Sequence, residues 1–190
     1  MVEDAHYTFA YDDKGNRTSK ADGSVETYTY DAQNRLIGYT SDTTTATYAY
    51  DTLERGIAKT VDGVTTAYVY DISTEVPLAH DDILLEFAGD TLTRRWLHSD
   101  SVDEPVGFED VGGSAYDLYA DRMGSISKVI DTTTGAIAAA YSNDSYGAQI
   151  THAASLFQHY DYTARESGPQ SSILIGHLGS WSLRKFQLGF

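Results

Sequence analysis

A Tyr-Asp pair recurs about every twenty residues through the first seventy positions of the sequence. Successive pairs begin 19, 20 and 20 residues apart. They are Tyr11-Asp12, Tyr30-Asp31, Tyr50-Asp51 and Tyr70-Asp71. A fixed period of this length is typical of proteins in which each repeat is one supersecondary unit that buries its apolar face by stacking on its neighbours. The sequence therefore predicts a repeat protein in which these pairs are the structural, repeat-defining positions.

The residues before each pair alternate in the manner of a β-strand. A second aromatic residue lies two positions before each tyrosine, with one small or β-branched residue between them. These aromatic residues are Phe9, Tyr28, Tyr48 and Tyr68. A period of two places both rings of a repeat on the same face of a strand. Each strand is thus predicted to have an aromatic face and a small-residue face.

Turn signals follow each strand. The aspartate of each pair opens a polar stretch, and an aspartate side chain can accept a hydrogen bond from the amide two residues on, which initiates a turn. Asp22-Gly23 and Asp62-Gly63 come later in their repeats and suit tight hairpin turns, because both residue types tolerate positive φ. Each repeat therefore predicts two short strands and two turns. The fold class is all-β, with antiparallel hairpin repeats forming a curved sheet and little helix.

These features resemble the YD repeats of the Rhs family, with "TYTYDAQNRL" at 27–36 as an example. Residues 119–147, "YADRMGSISKVIDTTTGAIAAAYSNDSYG", are similar to the Rhs-repeat-associated core. The residues that match its pattern and that the resemblance implies to be structural are Asp121, Gly124, Ser125, Asp131, Gly135, Tyr146 and Gly147. The resemblance divides the chain into YD repeats at 1–75, a core region at 76–167 and a divergent or frameshifted tail at 168–190.

The resemblance also implies a function. Rhs repeats form a β-shell that encloses a C-terminal toxin or other cargo, so we expect a structural part of such a shell, here a truncated remnant. The implied partners are an upstream YD-repeat shell and the C-terminal toxin. The implied location is secreted or associated with the cell envelope, as part of a larger exported protein. The family's self-cleaving aspartate motif is absent from the sequence, so no catalytic residue is carried over.

Composition limits the other functions. The formal net charge of -15 argues against nucleic acid as a partner. No window reaches the ~20 apolar residues of a membrane span, and residues 1–12 lack the features of a signal peptide. The chain has no Cys. Neither metal ligands nor a cofactor site are expected, since His152 and His159 lack an identifiable third ligand and the acidic loop at 12–16 lacks the glutamate of a calcium site.

Two alternatives remain open from sequence. Tyrosine stripes on an exposed sheet face could bind carbohydrate or a cell surface, whereas buried rings would form the core. An enzyme with an unrecognised carboxylate site would require a pair of acids in a deep pocket with opposed pKa shifts. The usual catalytic motifs are absent, and turn formation accounts for the aspartates that follow the strand tyrosines.

Overall fold

The computed structural model describes residues 2–3, 7–71, 82–100, 104–143, 149–154 and 160, with only the backbone at 2–3, 143 and 149–154. Every regular element in these ranges is a β-strand, and each strand pairing is antiparallel, which confirms the predicted all-β class. The chain divides into two compact units; the described residues of the first extend to Thr65 and those of the second begin at Thr66. The predicted boundaries at residues 75 and 167 lie outside the described residues.

The first unit is a meander in which each strand pairs with the next along the chain. Its turns are tight. The strands are β1 (Val2–Glu3), β2 (Thr8–Tyr11), β3 (Arg17–Ala21), β4 (Val25–Tyr30), β5 (Leu36–Thr40), β6 (Thr45–Tyr50) and β7 (Gly56–Val61), followed by β8 (Val64–Tyr70), which contains the boundary between the units.

The second unit continues in the same style after β8, again with sequence neighbours paired antiparallel. Its strands are β9 (Ile83–Ala88), β10 (Thr91–His98), β11 (Pro105–Asp110), β12 (Ala115–Ala120), β13 (Ile126–Asp131), β14 (Ile137–Asn143) and β15 (Gln149–Ala154).

The two units bury different side chains. In the first unit the buried large residues are mainly tyrosines, including Tyr28, Tyr39 and Tyr48. In the second unit the buried set is more varied and comprises Tyr68, Tyr70, Ile83, Trp96, Phe108, Leu118, Ile126, Val129, Ala139, Tyr141 and Tyr160. Tyr28 and Tyr48 expose only 3% and 6% of their surface, so their rings are core and present no face on which a sugar could stack.

A β-bulge recurs where each Tyr-Asp strand ends. Tyr30 pairs with Leu36 while Thr29 pairs with Gly38, which leaves Ile37 as the extra residue on β5. Tyr50 and Gly56 repeat this arrangement, with Ile57 as the extra residue. A bulge adds one residue to one strand and changes where the following side chains point. Here Leu36 and Tyr39 are buried while Ile37 between them is exposed.

Candidate functional site at the Tyr-Asp turns

The turn after each Tyr-Asp pair is closed by the backbone of the aspartate. At Asp31, the backbone N–H donates to the carbonyl of Arg35 at 3.0 Å, and the N–H of Asn34 donates to the Asp31 carbonyl at 3.2 Å. Asp12 and Asp51 make the same two kinds of bond four and three residues on. The same chain reversal is therefore built three times in the first unit.

The carboxylate of the aspartate also stabilises the turn, by accepting hydrogen bonds from backbone N–H groups within it. Asp31 Oδ1 accepts hydrogen bonds from the N–H groups of Gln33 and Arg35, both at 2.9 Å. Asp51 Oδ1 accepts from Leu53 and Arg55 at the same distance. Asp12 Oδ1 accepts from Lys14 at 3.0 Å and Asn16 at 2.8 Å. The predicted bond to the amide two residues on is thus present in each turn, together with a second bond four residues on.

The fourth residue of each turn has positive φ. It is glycine at Gly15, where φ is 84°, but Asn34 and Glu54 adopt 65° and 68°. Asparagine tolerates this left-handed region, whereas a glutamate there carries a local strain cost. The hydrogen bonds that the Asp51 carboxylate accepts from the N–H groups of Leu53 and Arg55 offset that cost, because they hold the turn in which Glu54 lies.

An arginine neutralises the aspartate in two of the three turns. Arg35 lies 2.6 Å from Asp31 and Arg55 lies 2.6 Å from Asp51, each pair being mostly buried. Partial burial alone would raise the pKa of Asp31 and of Asp51, but the hydrogen bonds and charge of the arginine outweigh it and lower both values. Asn16 replaces the arginine at the first turn, where its side chain donates to Asp12 at 2.9 Å and lowers the pKa of that carboxyl.

The tyrosines of the two central pairs each link one repeat to the repeat before it. Tyr30 Oη donates to the carbonyl of Arg17 at 3.0 Å, and Tyr50 Oη donates to the carbonyl of Leu36 at 2.6 Å. Both acceptors stand five residues after the aspartate of the preceding repeat. Arg35 also places its guanidinium 4.6 Å from the centre of the Tyr50 ring, a cation–π contact. We call this set of inter-repeat contacts the tyrosine ladder.

The turns themselves also touch along the sheet edge of the first unit. Lys14 Nζ donates to the Ala32 carbonyl at 3.0 Å, and Asn16 Nδ2 donates to Asn34 Oδ1 at 3.0 Å. Each bond spans 18 residues, so one turn positions the equivalent turn of the next repeat. These contacts are exposed, and each contributes modestly to stability compared with the buried rings.

Burial changes the acidity of the tyrosines. Desolvation raises the pKa of Tyr30 to about 12 and also raises the pKa of Tyr28, Tyr39 and Tyr48. Tyr28 donates its hydroxyl to Glu26, which is itself paired with Lys20. Neutral hydroxyls are therefore retained under ordinary conditions, as a hydrogen-bond donor requires.

The outer Tyr-Asp pairs differ from the central ones. Tyr11 is 39% exposed, whereas Tyr70 is buried. Asp71 donates its backbone N–H to the Asp82 carbonyl at 2.8 Å, so its turn is longer than the others. Residues 72–81 between them lie outside the described part of the chain.

The core-motif residues form two further turns. Asp121 closes a turn like those of the first unit, with its N–H donating to Ser125, Gly124 at φ 83° and its Oδ1 accepting from Met123 and Ser125. Ser125 is buried. Asp131 Oδ1 accepts from Thr133 and Thr134, and the backbone and side-chain bonds from Thr134 lower the pKa of Asp131. Gly135 has φ 71°. Tyr146 and Gly147 lie outside the described residues.

Three features were missed in the sequence. The turn at Asp121 follows Ala120 rather than a tyrosine, yet Ala120 pairs with Ile126 and Tyr119 with Lys128, which reproduces the bulge. Asp110 closes a similar backbone turn with Gly113 at φ 84°. The spacing Asp-x-x-Gly at Asp12, Asp110 and Asp121 would have identified both. Ser99 closes a turn on Glu104, and no comparable sequence signal marks it.

The second unit has its own buried polar contact. Trp96 donates its indole N–H to Glu86 Oε1 at 2.5 Å, and both side chains are buried. Phe108 and Tyr160 pack against Trp96 with ring centroids 4.9 and 4.8 Å away. The bond satisfies the indole donor within an aromatic core, which is the usual requirement for a buried tryptophan.

Among the described carboxylates, those with shifted pKa values take part in turns. The acids with shifted pKa values, namely Asp12, Asp31, Asp51 and Asp131, are all shifted downward and all lie in turns. An acid and base pair with opposed shifts is not found among the described residues. In that same part of the chain, no group of three His, Asp or Glu side chains is placed to hold a metal ion. The side chain of His152 and the whole of His159 lie outside it.

The fold and its turns define a protein class, that of antiparallel hairpin repeats joined through tyrosine and aspartate side chains. Residues 11–46 match the family model described as "RHS Repeat", which confirms the recognised resemblance over this stretch. The match contains the Tyr11, Tyr30, Asp12 and Asp31 positions together with the first rung of the tyrosine ladder. The sequence has no match among curated proteins.

Solved structures with a similar chain trace come from toxin complexes. A structure of TcdB2-TccC3-Cdc42 aligns with a TM-score of 0.46 and 14% identity over 94% of this chain and 9% of that chain. A structure of TcdB2-TccC3 aligns with a TM-score of 0.41 and 13% identity over 85% and 8%. The Photorhabdus luminescens Tc holotoxin pore aligns with a TM-score of 0.41 and 14% identity over 85% and 8%. The chain spans less than a tenth of the length of each of these proteins.

None of the described residues lies in a helix that is long and apolar enough to pass through a membrane.

Proposed function

We propose that this chain is a wall segment of an Rhs/YD-repeat shell that encloses a C-terminal toxin or other cargo within a larger exported protein. The observation that carries the proposal is the tyrosine ladder, whose first rung lies within the matched residues 11–46. Tyr30 and Tyr50 hydrogen-bond to carbonyls 13 and 14 residues earlier, so each repeat is joined to the one before it. A wall that must extend over many strands needs such contacts between successive repeats.

The placement of the acids supports a structural role. The carboxylates of Asp31 and Asp51 accept two backbone hydrogen bonds each at Oδ1 and pair with arginine at Oδ2, so both oxygens of each carboxylate are engaged in the turn. Their lowered pKa values keep them ionised at neutral pH. Groups in this state stabilise a turn well but are poorly suited to act as general acids.

The continuation of the turn into the second unit supports the same role. Asp121 builds the same reversal and bulge as Asp31, although no tyrosine precedes it. The core region then acts as further wall rather than as a separate module. The proposed partners are additional YD repeats and the enclosed cargo.

Protection of the cargo from protease tests the proposal. The gene is expressed together with its native flanking coding sequence, and the folded product is digested under native conditions. We expect the polypeptide that follows the repeats to be protected in the wild type and to become sensitive in the double variant Asp31→Ala, Asp51→Ala. Asp22→Ala is the matched control, because Asp22 is exposed and outside the tyrosine ladder. Equal digestion of the downstream polypeptide in all three proteins would contradict an enclosing wall.

A further inference from the structure

The first unit contains two Asp-Gly pairs in hairpin turns, one in a three-residue connection at 22–24 and one in a two-residue connection at 62–63. Asp22-Gly23 joins β3 to β4, and Asp62-Gly63 joins β7 to β8. Gly23 has φ 104° and Gly63 has φ 84°. A Cβ built at either glycine would meet no atom within 4 Å, so both turns are equally open at this position. The two pairs form a matched comparison within one unit.

The two aspartates are held very differently. Asp62 Oδ1 accepts a hydrogen bond from the Thr45 N–H at 2.7 Å and lies 3.5 Å from the Thr45 hydroxyl. The Asp62 N–H also donates to the Thr45 carbonyl at 2.9 Å. This side chain is therefore tied to the strand beside it by a short charge-assisted bond.

Asp22 makes weaker hydrogen bonds than Asp62 does. Within the described residues, its carboxylate accepts a bond of 3.4 Å from the Ser24 hydroxyl, and its N–H donates to the Ser24 carbonyl at 3.2 Å. Both partners belong to the turn itself. Residues 22–25 are all exposed. The Asp22 side chain can therefore rotate without breaking a bond to another part of the sheet.

We propose that Asp22-Gly23 is a modification site at which the aspartate converts spontaneously to isoaspartate, and that Asp62-Gly63 resists the same reaction. The amide nitrogen of Gly23 attacks Cγ of Asp22 and forms a cyclic imide. The proton on that nitrogen and the hydroxyl of the protonated carboxyl group leave together as water. A second water then opens the ring. When water attacks the backbone carbonyl carbon of Asp22, the peptide link to Gly23 runs through the side chain and the product is isoaspartate. When water attacks Cγ, aspartate is restored.

The reaction needs only water, and glycine favours it because no side chain shields the attacking nitrogen. At Asp62 the carboxylate must first leave its bond to the Thr45 N–H. A hydrogen bond to a charged group is strong enough to slow a step that breaks it by about ten-fold to one-hundred-fold. The two sites therefore differ in the hydrogen bonding of the aspartate carboxylate and not in the space around the glycine.

The product would change the first unit locally. Isoaspartate adds one backbone atom to the turn at 22–24, directly beside the pairing of Ala21 with Val25. The β3–β4 hairpin would loosen at its tip, while the tyrosine ladder at Tyr30 lies at the other end of β4. Modification at Asp22 is therefore compatible with an otherwise folded sheet.

Heavy-oxygen labelling tests the proposal on the intact protein. Folded protein is aged in water enriched in ¹⁸O, since each ring opening incorporates one heavy oxygen. It is then digested in ordinary water with trypsin, which cuts after Lys20 and Arg35 around the first site and after Lys59 and Arg94 around the second. We expect label at 21–35 to accumulate about ten-fold to one-hundred-fold faster than at 60–94.

Two controls make the outcome decisive. In denaturant the two Asp-Gly pairs should label at nearly equal rates, because the Thr45 bond is lost. The variant Asp22→Glu should lose the label at 21–35, because a longer side chain must form a larger ring. Equal labelling of the two peptides in the folded protein would overturn the proposal. So would a labelling ratio that is unchanged by denaturation, or label that persists in Asp22→Glu.

Discussion

The turn after Asp51 in the first unit and the turn after Asp121 in the second have the same backbone hydrogen bonds. They differ in the side-chain contacts that stabilise them. Both aspartates accept bonds from amides two and four residues on, and both strands carry the same bulge. Asp51 also pairs with Arg55, and Tyr50 beside it bonds to the preceding repeat. Ala120 stands at the equivalent position before Asp121. The turn is therefore separable from the tyrosine, and the aspartate defines the repeat more generally.

The buried cores of the two units also differ. In the first unit the hydroxyls of Tyr28, Tyr30 and Tyr50 donate hydrogen bonds, whereas the second unit buries side chains without polar groups, such as Phe108 and Val129. A polar group in a core is tolerated when its hydrogen bond is made. The hydroxyls of Tyr30 and Tyr50 specify which carbonyl each ring lies against, while Phe108 contributes through burial and packing alone. The following substitutions test this contrast, beginning with the largest expected effect.

Phe108→Ala should reduce the free energy of unfolding by about 4 kcal/mol, because the ring is only 1% exposed and its loss leaves a cavity. Trp96 and Tyr116 lie against it, each with a ring centroid 4.9 Å away. Urea denaturation measures the change. Val106→Ala is the control on the same strand, with a side chain that is largely exposed, and should change the value by about 0.5 kcal/mol at most. Similar losses in both variants would contradict a core built on Phe108.

Asp51→Ala should reduce the free energy of unfolding by about 2 kcal/mol, because it removes two hydrogen bonds to a charged, mostly buried carboxylate and leaves Arg55 without this partner. Asp121→Ala should cost less, since that aspartate accepts the same two amide bonds and pairs with no arginine among the described residues. Denaturation midpoints compare the two. A larger loss at Asp121 would show that arginine pairing does not strengthen the turn.

Tyr50→Phe should reduce the free energy of unfolding by about 1 kcal/mol, because it keeps the ring and removes one hydrogen bond to the Leu36 carbonyl. Tyr116→Phe is the counterpart in the second unit. Within the described residues the Tyr116 hydroxyl makes no hydrogen bond, while its ring stacks on Phe108. That variant should leave thermal and urea stability unchanged. Equal effects would remove the distinction between the tyrosine ladder and a purely apolar core.

The change in the free energy of unfolding that acid pH causes through Asp51 should be the smallest of these effects. The pKa of Asp51 is lowered in the folded chain from its ordinary value of 3.8, so the folded state favours the ionised form. Its contribution is complete above 3.8 and disappears as the pH falls through the lowered folded value. Asp51→Asn should therefore flatten the loss of stability below about pH 4. A stability curve with the same acid slope in both proteins would show that Asp51 does not contribute to it.

Local rules explain how much could be predicted in advance. The alternation around Tyr28 and Tyr30 predicts a strand, and the aspartate after it predicts a turn, because each signal depends on residues close in sequence. The positive φ at Asp62 and Gly63 follows from the same kind of local chemistry. The all-β class and the RHS repeat were correct for these reasons.

The bulges and the hidden turns could not be predicted in this way. Ile37 is the extra residue of the bulge because Thr29 pairs with Gly38 and Tyr30 pairs with Leu36. This register cannot be predicted from the sequence of β5 alone. The Asp121 turn lacks its tyrosine, so a search for Tyr-Asp pairs passes over it. The hydrogen bonds and the bulge show its likeness to the Asp31 turn, and only the Asp-x-x-Gly spacing that it shares with Asp12 marks it in the sequence.

The sequence by itself determined the strands, their aromatic faces and the aspartate turns, since periodicity and turn chemistry act over a few residues. Only the tertiary structure decided which carbonyl each tyrosine meets and which residue each bulge turns outward. The acceptors of Tyr30 and Tyr50 lie 13 and 14 residues away, on a strand that pairing brings alongside. The physical reason is that a side-chain contact across strands depends on register, which is settled when the whole sheet buries its rings together.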